Sequence, residues 1–319
     1  MRQSRNHFSS EILSFSSRYY TVNIPYILKP TPVQSRDGGQ KRFCIVSARH
    51  CKNVTPAQIR DLYNSPIPDH SRGMRITDKH VEQRLAKDPD SVLLGFFDGE
   101  LTRPVSMINI AKLRLTNLSD GYVPTTHQEL TGDDSFKTTD PVNGNVWFCP
   151  WAVSSKNAQG LGLMWGGTWR SIGRLQVLAT AALAIQHGGL DRLIAYSRPG
   201  DLLLTFLKKA KDHCEINSSR SLSIDGKRLI RDKLGILFPV ATDEATTAEY
   251  LIRIEDLWTS DKTFMFHSGN GAEFRPGLVF PYGQLCDFAS LFYRTGLEYS
   301  MDKVRALFRD ADPLFEQVA

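Results

Sequence analysis

From Arg42 onward, short apolar runs alternate with amphipathic stretches, the pattern of a mixed α/β domain. Phe43–Ala48 is rich in strand formers. Thr55 followed by Pro56 is a helix start, and Ile59 and Leu62 give that helix an apolar side. A second start at Thr77 or Asp78 leads to Val81 and Leu85. Ser91–Phe97 and Val105–Ile110 predict two strands joined through the turn signal Asp98–Gly99. Residues 111–143 are polar and loop-like, and Asn145–Val153 predicts the next strand. A glycine-bearing turn, Ser154–Gly162, follows it. A long helix should then run from the end of that turn to about Gln186, where His187–Gly188–Gly189 stops it. Leu190–Tyr196 is the strand after it, so two parallel strands with a crossover helix are expected. Residues 200–246 read as an insertion, Thr247–Trp258 as a helix, Phe264–His267 and Arg275–Phe280 as short strands, and Leu291–Tyr299 as the last strand.

Before Arg42 the pattern fails. Residues 1–40 are rich in Ser and Arg and carry Pro25, Pro30, Pro32 and Gly38–Gly39. We read them as an N-terminal extension lying over the core, with residues 41–319 as the domain. Abundant Arg and Ser with few acids also suits a mitochondrial transit segment, the alternative to a cytoplasmic location.

Composition removes function classes. Of 319 residues, 39 are Lys or Arg and 34 Asp or Glu, a net charge of +5 that does not ask for nucleic acid. Leu175–Ile185, broken by Gln176 and Thr180, is too short to span a bilayer, so no membrane is expected. Five cysteines without a C-x-x-C, and no H-E-x-x-H, predict neither a metal site nor a disulfide scaffold. G-x-S-x-G is also absent.

Gly160-x-Gly162 at a helix start would let backbone N–H groups approach a phosphate. A dinucleotide site would want a third glycine where Trp165 stands, and a P-loop would want Gly-Lys-Ser/Thr. From Trp151 through Gly162, and again at Leu193–Ser197, the chain resembles the GNAT superfamily of acyl-CoA-dependent acyltransferases. That resemblance implies a mixed, splayed sheet with helices on both faces. It also implies a Q/R-x-x-G-x-G/A turn around the pyrophosphate of coenzyme A. The register Asn157, Ala158, Gln159, Gly160, Leu161, Gly162 fits both glycines, with Asn157 in place of Gln or Arg. A second register, Arg170-Ser-Ile-Gly173-Arg-Leu175, lacks the last small residue. The first is preferred because it follows the strand directly. The stretches Ala248–Leu251, Asp261–Ala272 and Phe280–Tyr282 resemble two branches of the family. These are the domains fused to carbon–nitrogen hydrolases and the loading domains of polyketide synthases, which decarboxylate malonyl-CoA and pass acetyl to a carrier protein.

The resemblance implies an acyltransferase that passes acetyl from acetyl-CoA, or another acyl group from its CoA ester, to an amine of a small molecule; the alternatives are a malonyl-CoA decarboxylase that loads a carrier protein, and a non-catalytic acyl-CoA-binding protein. The strand edge near Val153 would polarise the thioester, and Trp151 and Tyr196 would face the substrate. His267, four residues before Gly271, would act as acid or base, because histidine titrates near neutrality. Ser197 matches the Ser or Thr that ends the corresponding strand in the loading branch. No equivalent of that branch's carboxylate-binding Arg stands near Gln284. Each residue also has an ordinary structural use: the glycines as a turn, His267 and Tyr196 in the core, Ser197 as a cap.

Overall fold

The computed structural model describes residues 26–35, 38–66, 75–115, 130–165, 167–188, 190–197, 262–281 and 293–309. Among them, strands β1 (Tyr26–Gln34), β2 (Gln40–Ser47), β3 (Val92–Phe97), β4 (Ser106–Leu113) and β5 (Val146–Ser154) form an antiparallel succession. Helices α1 (Pro56–Asn64) and α2 (Asp78–Lys87) lie between β2 and β3. Both begin where the sequence predicts. Thr55 accepts from the Gln58 N–H while the Gln58 side chain accepts from the Thr55 N–H, and Thr77 pairs with His80 in the same way. The chain continues through β6 (Gly162–Trp165), β7 (Thr168–Ser171), α3 (Ile172–His187) and β8 (Arg192–Ser197). It ends in α4 (Lys262–Ser268), β9 (Ala272–Pro281), β10 (Tyr293–Tyr299) and α5 (Met301–Arg309).

The ten strands among the described residues join one mixed sheet in the order β7-β6-β1-β2-β3-β4-β5-β8-β10-β9. The expected parallel pair is β5 with β8, and α3 is its crossover. Central strands are buried on both faces. Phe43, Ile45, Leu93, Ile108 and Ile110 pack with α3, whereas Cys44, Val46, Val92, Leu94 and Phe96 pack under α1 and α2. The mixed α/β class with helices on both faces is therefore present.

Three expectations need correction. Residues 26–34, read as part of an extension, are strand β1, with Leu28 and Val33 fully buried. Pro30 falls where the β1–β2 register shifts between Leu28 and Thr31, whereas Pro32 stays opposite Arg42. The helix expected from Gly162 starts ten residues later, because the hairpin β6–β7 intervenes. Residues 264–267, read as a strand from Phe-Met-Phe, belong to helix α4. Asn270, 1% exposed, decides that one locally: its Nδ2 donates to the Phe266 carbonyl at 2.6 Å and closes the helix end. Helix α5 was not foreseen. The expected helix 247–258 and insertion 200–246 lie outside the described residues.

Helix α3 is apolar nearly all round, as a helix enclosed by its own domain should be. Its buried Gln176 is satisfied when its amide donates to the Met107 carbonyl (3.1 Å) and accepts from the Met107 N–H (2.9 Å). Strands β5 and β6 stand five places apart, about 24 Å across a flat sheet. The seven residues between them include a 3-10 turn, Lys156–Ala158. Fully extended they would reach roughly 26 Å, but the 3-10 turn rises only about 2 Å per residue and brings the reach below the flat-sheet distance, so the sheet curls and shortens the chord. The curl brings the two edges together around α3. Trp165 of β6 meets Phe308 of α5 at 5.7 Å, and Arg170 of β7 donates to the Gly269 carbonyl at 3.0 Å.

Candidate functional site

The parallel strands β5 and β8 are in register from Val146↔Arg192 to Cys149↔Ala195, and no further pair continues the ladder although both strands run on. Strand β5 is bulged at the same point. Asn109 faces Trp151 and Ala111 faces Phe148, so three steps on β5 match two on β4. The extra residue falls at Cys149–Pro150, and proline has no N–H to offer a neighbouring strand. The sheet thus opens between β5 and β8 just beyond Cys149.

The face of the sheet that holds α3 carries a chain of contacts toward this opening. His267 Nδ1 lies 2.7 Å from the Tyr299 hydroxyl. Burial pushes the His267 pKa down to about 4, so the ring is neutral near pH 7. Burial raises the Tyr299 phenol well above its usual range, and the nearby Cys149 thiol adds to the effect. Burial also pushes Cys149 up to about 12, which keeps it a thiol. Phe266 stands edge-on to the His267 ring at 5.0 Å, and the Arg174 guanidinium lies 5.9 Å over Phe266.

Arg174 belongs to the first turn of α3, where Ser171 is the N-cap and its hydroxyl accepts from the Arg174 N–H. Arg170, one residue before that cap, is only 9% exposed. Its Nη1 reaches the Gly269 carbonyl and Asn270 Oδ1, while its Nε is buried without a partner among the described residues. Desolvation, then the charge of Arg174, lowers the Arg170 pKa. Neither guanidinium meets a carboxylate among the described residues. Two cations and a helix N-terminus, with a glycine at the second helical position, gather here unneutralised.

The preferred phosphate register lies elsewhere. Asn157, Gln159 and Gly160 are exposed, and Ala158 and Leu161 point into the core. Gly160 has φ +78° with open space beside it, the conformation of a turn glycine. A Cβ at Gly162 would overlap the Arg170 backbone, so that glycine serves the close approach of β6 to β7. No helix begins at either residue. The register Arg170–Leu175 is the one at a helix N-terminus, and the hairpin that separates it from β5 could not be read from the glycines. Val153 is buried on the α1 face. Trp151 stacks on Tyr63 at 4.9 Å with its Nε1 buried and unpartnered, so it lines the α1 side of β5. Tyr196 and Ser197 end β8, and their side chains lie outside the described residues. Tyr299 was missed. Its alternation with Leu297 places both on one face, but nothing in the sequence names its partner. Among the described residues no three His, Cys, Asp or Glu side chains gather as a metal site requires.

No family model and no curated protein matches the chain. Its structural neighbours include the loading GNAT-like domain of CurA from Lyngbya majuscula, with a TM-score of 0.45, 12% identity and coverage of 82% of this chain and 98% of that one. They also include two malonyl-CoA decarboxylases, which the chain spans only in part. That from Rhodopseudomonas palustris has a TM-score of 0.45 at 17% identity, covering 79% of this chain and 56% of its own, and that from Agrobacterium vitis has 0.44 at 16%, covering 78% and 62%.

Proposed function

We propose that the chain uses an acyl-CoA and transfers its acyl group to an amine. The observation that carries this reading is the pair Arg170 and Arg174 at the α3 N-terminus, joined through Phe266 to His267 and Tyr299 beside the gap between β5 and β8. An anion site at one end and proton-carrying groups at the other suit one elongated ligand with phosphates and a distant thioester. The pantetheine arm would lie in the gap and take the backbone hydrogen bonds that β5 and β8 do not exchange. In the reaction the amine nitrogen attacks the thioester carbon, the C–S bond breaks, and the products are an amide and a thiol. A neutral His267 accepts a proton from the attacking amine, and the protonated ring then passes that proton to the departing thiolate.

Calorimetric titration with coenzyme A tests the anion end. Arg174→Ala should weaken binding about tenfold or more, whereas Gly160→Ala should leave it unchanged. Equal loss at both positions, or none at Arg174, would sink the reading. Release of free thiol from acetyl-CoA in the presence of an amine tests the reaction. Loss of carbon dioxide from malonyl-CoA without an amine would instead point to the chemistry named for two of the neighbours.

A further inference from the structure

The face of the sheet opposite the anion end carries polar groups that the acyl-CoA reading does not use. Asn109 of β4 is fully buried, and both its amide atoms lack a partner among the described residues. It stands in register with Trp151, whose Nε1 is also buried and unpartnered. Farther along the chain the Ser155 hydroxyl is buried and unpartnered in the same way. A buried donor or acceptor left without a partner costs about 1–3 kcal/mol. Three such residues along one stretch are therefore expensive unless something occupies them.

Ser155 lines a cleft of about 490 Å³ between α1, the loop before β4 and the turn after β5, a size suited to a small molecule. The charges around it are unequal. Asp61 lines it, but its carboxylate is held by Arg60 at 2.7 Å. Arg103 and Lys156 line it from different segments, are exposed, and have no carboxylate partner among the described residues. Among the described residues the cleft thus offers two cations without a carboxylate partner. Beyond the cleft lining, Trp151 of β5 and its register partner Asn109 of β4 carry the other unpartnered groups, beside the bulge where the strands part.

We propose that this cleft is the acceptor site, and that the acceptor is an amine whose far end is a carboxylate or phosphate held between Arg103 and Lys156. This rests on the acyl-transfer reading and names its second substrate. The anion fixes the outer end. The chain of the acceptor then runs past Ser155 toward Trp151 and Asn109, so that the amine approaches the thioester from the face opposite the coenzyme.

Three amines with the same two-carbon spacing separate the possibilities: β-alanine, phosphoethanolamine and ethanolamine. Their binding to the full chain is measured by saturation-transfer NMR, with coenzyme A affinity measured separately by calorimetry. One or both anionic amines should bind and ethanolamine should not, and which of the two binds identifies the carboxylate or the phosphate. Arg103→Ala and Lys156→Ala, both at exposed positions, should each weaken that binding about tenfold with coenzyme A affinity unchanged. Equal binding of all three amines, or anionic binding indifferent to both substitutions, would overturn the assignment. So would displacement of the amine by coenzyme A, which would make the cleft part of the coenzyme site. Coenzyme A binding without any anionic amine binding refutes the acceptor site alone. Anionic amine binding without coenzyme A binding refutes the acyl-CoA reading.

Discussion

His267 carries a hydrogen bond on Nδ1 and a pKa pushed down to about 4, so at neutral pH its ring can take up a proton but has almost none to give. Under the proposed reaction His267 starts as the base, and the rate should fall as pH drops toward 4 rather than near the ordinary histidine value. Stability follows the same sign. The unfolded ring binds its proton below about 6.5 and the folded ring only below about 4. The unfolded state therefore binds more protons between these values, and stability is lost as pH falls through that window. The loss is of order 3 kcal/mol at most. His267→Gln should lower turnover about 10²–10⁴-fold and flatten the stability–pH curve between 6.5 and 4. Full activity in that variant would remove the base assignment, and an unchanged curve would remove the burial argument. Asn109→Leu provides the opposite test. Replacing an unsatisfied buried amide with an apolar group of similar size should raise stability by about 1 kcal/mol or more in a thermal melt of the free protein. A destabilised Asn109→Leu protein would mean the amide is already satisfied. His267 was singled out by its spacing to Gly271, and the structure adds its contact with Tyr299. Tyr299 and Asn109 were not, because their significance lies in partners present or absent across the fold.

Among elements, the helix starts at Thr55 and Thr77 and the stop at Gly188 were legible because cap chemistry is local; Gly188 takes φ +72° as a C-cap should. The strands β3, β4 and β5 were legible as apolar runs. Elements that depend on distant partners were misread. Strand β1 hides behind its prolines, and the hairpin β6–β7 behind a run of glycines and tryptophans that resembles a turn leading into a helix. The consequence for truncation is direct. Removing residues 1–34 deletes the strand that pairs with both β2 and β6. It should lower the melting temperature by about 10 °C or more, or abolish the cooperative transition. A truncated protein melting within a few degrees of the full chain would show that β1 is dispensable after all.

At the scale of the whole molecule, the curled sheet holds α3 so that both ends of the candidate site come from edges that are far apart in the strand order. The bonds from Arg170 to Gly269 and Asn270 fasten one edge to the other. Asn270→Ala removes a partner of Arg170 and the cap on the Phe266 carbonyl together. It should cost about 1–3 kcal/mol of stability and weaken coenzyme A binding, although residue 270 itself need not touch the ligand. Unaltered coenzyme affinity in a measurably destabilised Asn270→Ala protein would separate the fastening from the site.

That fastening joins residues separated by 99 and 100 positions, and β6 must find a strand made some 130 residues earlier. Contacts of such long range form late, because loop closure must precede any gain from them. The central strands can assemble while the anion end is still open. The last event in folding should then be the arrival of the β9 edge at the α3 N-terminus. A bound coenzyme would act on the reverse of that step, slowing the release of the edge far more than it hastens the early growth of the sheet.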